Sequence, residues 1–271
     1  MRTVRFVVAL CLVGARAALA LDAACGLTVP AGETAVLQAD LTCATDPVAI
    51  TLDRASTLDL NGFTLRATAA GAAGVVCVDR ACSVVSSAAA PGVISGESTA
   101  EDGIFIREDI APLTSMVVDN VSVRDFKEIG IYATGLGTTT LSNVSVSGCG
   151  FEGINGGQRG RLVVNSVVVN DNADGIVGPH SVKGIGLTLN ANSGTAMWNV
   201  KRVNLTGLTA SGNGIAGLEV GALGLRDSAL SGNGQFDVGS VRKPRLRNST
   251  CERSRDLSPP FGPWGVCTLD Q

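Results

Sequence analysis

The residues in this chain best suited to chemistry are basic and aromatic. Arg159 and Arg161, His180 and Lys183, Trp198 with Lys201 and Arg202, then Arg242 and Lys243 recur at nearly even intervals. If the segments that carry them stack, they form a basic column beside Tyr132 and Trp198. Guanidinium forks hold carboxylates or sulfates, and aromatic faces hold sugar rings, so such a column fits an extended acidic glycan. Asn155, Glu219 and Asp237 fall at neighbouring outward positions and complete the expected binding set. Ordinary solvated loop charge is the alternative reading of the same residues.

Other chemistries lack parts. Glycosidic hydrolysis needs two carboxylates about 5 or about 6.5–9.5 Å apart. Asp171 and Asp174, in Asn170-Asp-Asn-Ala-Asp-Gly175, are the nearest pair and read as turn residues. A Ser-His-Asp triad has no Gly-x-Ser-x-Gly elbow to rest on. The acidic stretch from Gly96 to Asp109 (Glu97, Glu101, Asp102, Glu108, Asp109) lacks the spaced aspartates of a calcium loop. It reads as a solvated turn. No metal and no cofactor is expected.

The elements that must position these residues are repeats. From Val121 to Val238 one phrase recurs, clearest in Asn143-Val-Ser-Val-Ser-Gly-Cys149, Ser166-Val-Val-Val-Asn-Asp-Asn172, Gly186-Leu-Thr-Leu-Asn-Ala-Asn192 and Gly207-Leu-Thr-Ala-Ser-Gly-Asn213. With Phe126 and Asn233 as flanking copies, the shared positions are 126, 149, 172, 192, 213 and 233, spaced by 23, 23, 20, 21 and 20 residues. A near-constant period with drifting loops is a solenoid. Apolar pairs two apart, such as Val144 and Val146, are strands with one buried face. Coils of this length are too short for a strand-helix-strand unit of ~30 residues. The expectation is an all-β, single-stranded, right-handed parallel β-helix with disulfide-closed ends. Asn172, Asn192, Asn213 and Asn233 should stack as an amide ladder, with Cys149 in register as a small buried residue. After each ladder residue a second strand restarts, and its outward residues are expected to be Phe105, Tyr132, Asn155, Val177, Ala196, Glu219 and Asp237.

Three segments are expected. Residues 1–20 have a basic start (Arg2, Arg5), an apolar stretch and Ala18-Leu-Ala20, which together form a secretory signal peptide. Residues 21–250 form the β-helix, and 251–271 a disulfide-closed cap in which Phe261 and Trp264 cover the last coil. Removing Arg2, Arg5 and Arg16 from the 21 basic residues leaves 18 against 24 acidic ones, a net charge of −6. That balance argues against nucleic acid as a partner, and no later stretch is long enough for a membrane span. Cys11 leaves with the signal. Local pairing of the rest gives Cys25–Cys43, Cys77–Cys82 and Cys251–Cys267, bridges that suit an oxidising compartment. Metal binding by these cysteines would need CxxC spacing or a nearby histidine, and neither is present. Asn143, Asn204 and Asn248 head glycosylation sequons that matter only in a eukaryotic secretory path.

The run Cys25-Gly26, Asp40-Leu-Thr-Cys43, Leu58-Asp-Leu-Asn-Gly-Phe-Thr-Leu65 and Gly92-Val-Ile-Ser-Gly96 resembles the opening of bacterial right-handed β-helix repeat proteins. These form the broad group related to carbohydrate-binding and sugar-hydrolase β-helices. Phe63 stands where that group usually has histidine. The resemblance spans nearly all of the mature chain and implies the fold. In addition, Gly178-Pro-His-Ser181 is similar to a degenerate form of the Asp-Pro-His-Glu motif of alginate epimerases, with Gly178 and Ser181 in place of the acids. That likeness implies lyase or C5-epimerase chemistry. His180 would remove the C5 proton, Arg159 or Arg161 would neutralise the carboxylate, and Tyr132 would supply a proton.

Three functions stand open at this level. The first is an exported protein, secreted, periplasmic or on the cell surface, that binds an acidic polysaccharide along one face of the solenoid. The second is a polysaccharide lyase or epimerase working around His180. The third is a non-catalytic structural or adhesive surface protein.

Overall fold

The computed structural model describes residues 20–78, 81–106, 115–133, 135 and 137–270. The expected signal peptide, but for Ala20, lies outside the described residues, as do Glu108 and Asp109 of the acidic stretch.

Every strand between the two ends pairs in parallel with the coil before and the coil after it, and the chain winds as a right-handed parallel β-helix of three sheets. The first sheet stacks Leu21–Asp22, Thr34–Val36, Ser56–Asp59, Ala81–Val85 and Ser115–Asp119. It continues through the opening halves of Thr138–Ser147, Arg161–Asn170 and Ser181–Asn190, the closing halves of Thr195–Thr206 and Ala216–Arg226, and Arg245–Arg247. The second runs from Leu41–Cys43 through Thr64–Ala67, Gly92–Ser95 and Val121–Arg124. It then takes the closing halves of the three ten-residue strands, Thr209–Ser211 and Ala229–Ser231. The third runs from Leu27–Val29 through Val48–Leu52, Ala73–Cys77, Asp102–Ile106, Ile131–Tyr132, Glu152–Asn155 and Asp174–Val177. It ends with the opening halves of Thr195–Thr206 and Ala216–Arg226, then Phe236–Ser240 and Ser254–Asp256.

Alternation decides which side chains enter the core. Val144, Val167 and Leu187 stack inward in one column, and Val146, Val169, Leu189, Ala210 and Leu230 in the next, all buried. Each buried valine or leucine contributes about 1.5–3 kcal/mol relative to exposure. The corners explain the polar part of the repeat. Between the first and second sheets one residue per coil has a left-handed backbone: Asn120, Asn143, Ser166, Gly186, Gly207, Asp227 and Asn248. Short polar side chains and glycine tolerate that conformation best. Between the second and third sheets the left-handed residues are Asp125, Gly148, Asp171, Ala191, Gly212 and Gly232, and each immediately precedes a ladder residue. The third-to-first corner is the variable one. It is a loop at 156–160, but strand runs straight through it in Thr195–Thr206 and Ala216–Arg226. Together with a shorter loop at 178–180, this shortening accounts for most of the drift of the period from 23 to 20.

The ladder forms as expected. The Asn172 N–H and amide both donate to Asn192 Oδ1, Asn192 does the same to Asn213, and Asn213 to Asn233, at 2.7–3.2 Å. The Cys149 N–H donates to Asn172 Oδ1.

The three disulfides have the expected pairing, Cys25–Cys43, Cys77–Cys82 and Cys251–Cys267, and Cys149 is the free cysteine among the described residues. The first and last of them close the two ends. At the C-terminal end, parallel stacking continues past residue 250, because Ser254–Asp256 pairs with Phe236–Ser240. The polar run Ser-Arg-Asp carries no apolar alternation to announce that strand. Around it, the Asp270 carboxylate accepts the Ser254, Val266 and Cys267 N–H groups and the Ser254 hydroxyl. Trp264 is half-buried, its indole N–H donating to Ser240 O at 3.2 Å, whereas Phe261 is 58% exposed.

Candidate functional site

The first sheet carries the basic residues. Its outward positions form three columns along the solenoid. One reads Thr138, Arg161, Ser181, Arg202, Ala222; the second Thr140, Val163, Lys183, Asn204, Gly224, Arg245; the third Ser142, Asn165, Ile185, Thr206, Arg226, Arg247. The intervening residues, such as Leu162, Val182, Val203 and Leu223, are buried, which fixes the direction of the rest. Arg161, Lys183, Arg202, Arg226, Arg245 and Arg247 are all exposed. None makes an ion pair among the described residues, where the pairs are Arg66 with Asp40 and Glu97, and Arg124 with Asp125. From Thr138 onward no acidic residue shares these columns, whereas in the earlier coils the third column runs back through Asp119, Asp59 and Asp22. On a chain of net negative charge, this is a segregated cationic face. Coils ~4.8 Å apart put Arg161 and Arg202, two coils apart, on the order of 10 Å from each other.

The acids gather elsewhere. Asp102, Glu128, Glu152 and Asp174 occupy successive coils at the corner that opens the third sheet, with Glu152 and Asp174 in register. Burial pushes the Asp102 carboxyl up from 3.8 to about 6, although the Ile129 N–H donates to it; Glu128, Glu101 and Glu152 push the same way. Glu152 is raised as well, chiefly by burial. Among the described residues no group of His, Cys, Asp and Glu is placed to hold a metal ion.

Next to the cationic face, where the third sheet passes into the first, a groove of about 360 Å³ is lined by Trp198, Lys201, Glu219 and Val241. Trp198 and Glu219 are in register on adjacent coils, and Trp198 is 36% exposed. Lys201, Gly221 and Arg242 stack beside them, the Arg242 N–H donating to Gly221 O. Three residues expected to bind together, Trp198, Lys201 and Glu219, are therefore brought together.

Two residues expected on the outward column are not there. The observed column is Phe105, Tyr132, Asn155, Val177, Trp198, Glu219, Gly239. Ala196 and Asp237 fall two positions earlier and are fully buried. The restart position demands a small residue: a Cβ on Gly175 would lie 2.2 Å from Ala196 O, and one on Gly217 2.4 Å from Asp237 O. Ala196 and Asp237 occupy this glycine position, so counting from Gly194 or Phe236 misplaces the strand. Asp237 is a structural residue. Its Oδ1 accepts the Asn233 N–H and amide, and its Oδ2 accepts the Glu252 and Arg253 N–H groups.

The expected catalytic set is spread over two sheets. Tyr132 stands on the third, its ring stacked on Phe105 at 5.2 Å and 8°, whereas Arg161 opens the first. Arg159 lies exposed in the corner between them. His180 immediately precedes the arginine column, its N–H donating to Gly160 O and its carbonyl accepting from the Arg202 N–H. Its imidazole has no hydrogen-bond or ion-pair partner among the described residues. A general base is ordinarily oriented by such a partner.

No protein-family model matches the sequence, and no curated protein matches it. Among solved structures, the chain is similar to the A-module of a mannuronan C-5 epimerase from Azotobacter vinelandii, at 13% identity and a TM-score of 0.48. That alignment covers 82% of this chain and 78% of the other. So distant a likeness does not bear on activity.

Sequence reasoning missed Arg226, Arg245 and Arg247 as members of the site. The signal lies in Gly224-Leu-Arg226 and Arg245-Leu-Arg247, two copies of one outward pattern on adjacent coils. A column counted from the residues after the restart strand takes in Arg242 and Lys243, which precede this pattern.

Proposed function

We propose that this chain is an exported β-helix that binds an extended acidic polysaccharide along its first sheet and does not turn it over. The observation that carries this reading is the set of outward columns that, from Thr138 onward, hold Arg161, Lys183, Arg202, Arg226, Arg245 and Arg247 with no acid among them. Cations at coil spacing suit a polymer lying along the solenoid, and electrostatic complementarity selects an anionic one. Trp198 offers a ring to a sugar face beside Lys201 and Glu219. Three disulfides favour an oxidising compartment, in keeping with residues 1–20 as an export signal. Residues 251–271 act as the cap. Among the described residues no helix is long and apolar enough to cross a membrane.

The test is binding to immobilised polyuronate, sulfated glycosaminoglycan and neutral glucan. Retention of the two anionic polymers alone supports the reading. Equal retention of the neutral one removes it.

Lyase or epimerase action around His180 is the second reading, favoured by the place of His180 directly before the Arg161–Ser181–Arg202 column. Product from the wild type, lost in His180→Ala, would replace binding with catalysis.

A further inference from the structure

The C-terminal end of the cationic face is shaped differently from the rest. Arg226 and Arg247 are in register on adjacent strands, and Arg245 stands beside them, in register with Gly224. Like charges directly opposite each other on a sheet destabilise it, and no carboxylate pairs with any of the three among the described residues. Gly224 leaves the floor open. A Cβ there would meet only Asn204 Oδ1 at 3.5 Å and Val203 O at 3.8 Å. The result is a groove of about 570 Å³, with Asn204 and Thr206 on the opposite wall. That volume is within the range of small-molecule sites.

We propose that this groove is a subsite for a tetrahedral oxyanion ester, a sulfated or phosphorylated sugar, within the glycan of the preceding section, on which reading the assignment rests. The argument is one of valence. A carboxylate has two oxygens and is satisfied by one or two guanidinium forks. An ester sulfate or phosphate presents three free oxygens, one for each of Arg226, Arg245 and Arg247. The Thr206 hydroxyl and Asn204 amide are further donors to it. The open floor over Gly224 admits the anion between the arginines, and the wider groove takes the ring that bears it.

The experiment compares wild type, Arg245→Gln with Arg247→Gln, and Arg161→Gln. Each is titrated with inorganic sulfate and inorganic phosphate at constant ionic strength, then with a sulfated glycosaminoglycan and an unsulfated polyuronate. These arginines are exposed, so the fold is not at risk. The proposal predicts that the groove variant loses affinity for sulfate or phosphate, and for the sulfated polymer, by about tenfold more than for polyuronate. Arg161→Gln should weaken both polymers alike. Preference for one inorganic anion identifies the ester. Equal loss on the two polymers, or identical inorganic titrations in wild type and variant, overturns the groove. Failure of both polymers to bind the wild type, with sulfate or phosphate still bound through Arg245 and Arg247, would sink the polysaccharide reading and leave the oxyanion site standing.

Discussion

The amide of Asn233 donates to Asp237 Oδ1 at 2.7 Å, and that bond ends the asparagine ladder. Each asparagine above hands its donors to the carbonyl oxygen of the next coil, so the last one needs an acceptor that is not itself an asparagine. Asp237 supplies it from four residues on, while its other oxygen takes two N–H groups of the final coil. A row of buried amides is thus satisfied from end to end, which buried polar groups require.

Asp237→Asn should therefore destabilise the protein although it preserves shape. The carboxylate serves only as an acceptor, and an amide nitrogen would face two donors on one side. Leaving buried donors unmatched costs about 1–3 kcal/mol. Urea unfolding would show this as a lower midpoint; an unchanged midpoint would mean that the ladder end is dispensable.

Cys149 should be inert in the folded state. Burial pushes its thiol up to about 12, against a hydrogen bond from the Phe126 N–H that lowers it. The thiolate is the reactive form. In the chain without its first twenty residues, a thiol reagent at pH 8 should therefore label nothing in the native protein and one cysteine after unfolding in urea. Labelling of the native protein would contradict the buried placement.

Much of this was legible in the sequence, because it depends on periodicity. The β-helix, the ladder register and the three disulfides follow from apolar pairs two apart, from Asn172, Asn192, Asn213 and Asn233 at coil spacing, and from the nearest cysteines. What the sequence hides is the phase of each coil. Ala196 and Asp237 take a position where other coils have glycine, because the demand there is for small size or a ladder acceptor. That substitution moves Trp198 rather than Ala196 onto the outward column. The first-sheet arginines were obscured for a related reason: the variable corner inserts loop in some coils and continuous strand in others.

Stability should fall as pH rises through the range of Asp102. Its folded pKa, about 6, lies above its unfolded value of 3.8. A raised carboxyl favours the folded state in its neutral form, so this stabilisation is present below about pH 4 and lost as pH passes 6. Asp102→Asn keeps an acceptor for the Ile129 N–H and removes the charge from the neighbourhood of Glu101, Glu128 and Glu152. Discounted for solvent screening of a partly exposed group, the variant should gain about 1–2 kcal/mol at pH 8 and little at pH 4. Paired urea titrations at the two pH values would show it, and an equal effect at both would refute the assignment.

Trp198 should report on the ligand. Stacking of a sugar on its exposed face would shift its fluorescence on addition of the acidic polymer, and Trp198→Ala should weaken binding by about fivefold to tenfold, a loss of about 1 kcal/mol. Fluorescence and affinity that both ignore the substitution would place the polymer away from this corner.

The central claim is that the first sheet, and not charge in general, holds the polymer. It is tested most directly by comparing Arg202→Glu with Arg124→Glu, the same charge change on the second sheet, over a series of salt concentrations. The account predicts that Arg202→Glu loses most of the affinity for an acidic polysaccharide and flattens its salt dependence, while Arg124→Glu stays close to wild type. Equal losses in the two variants would contradict it.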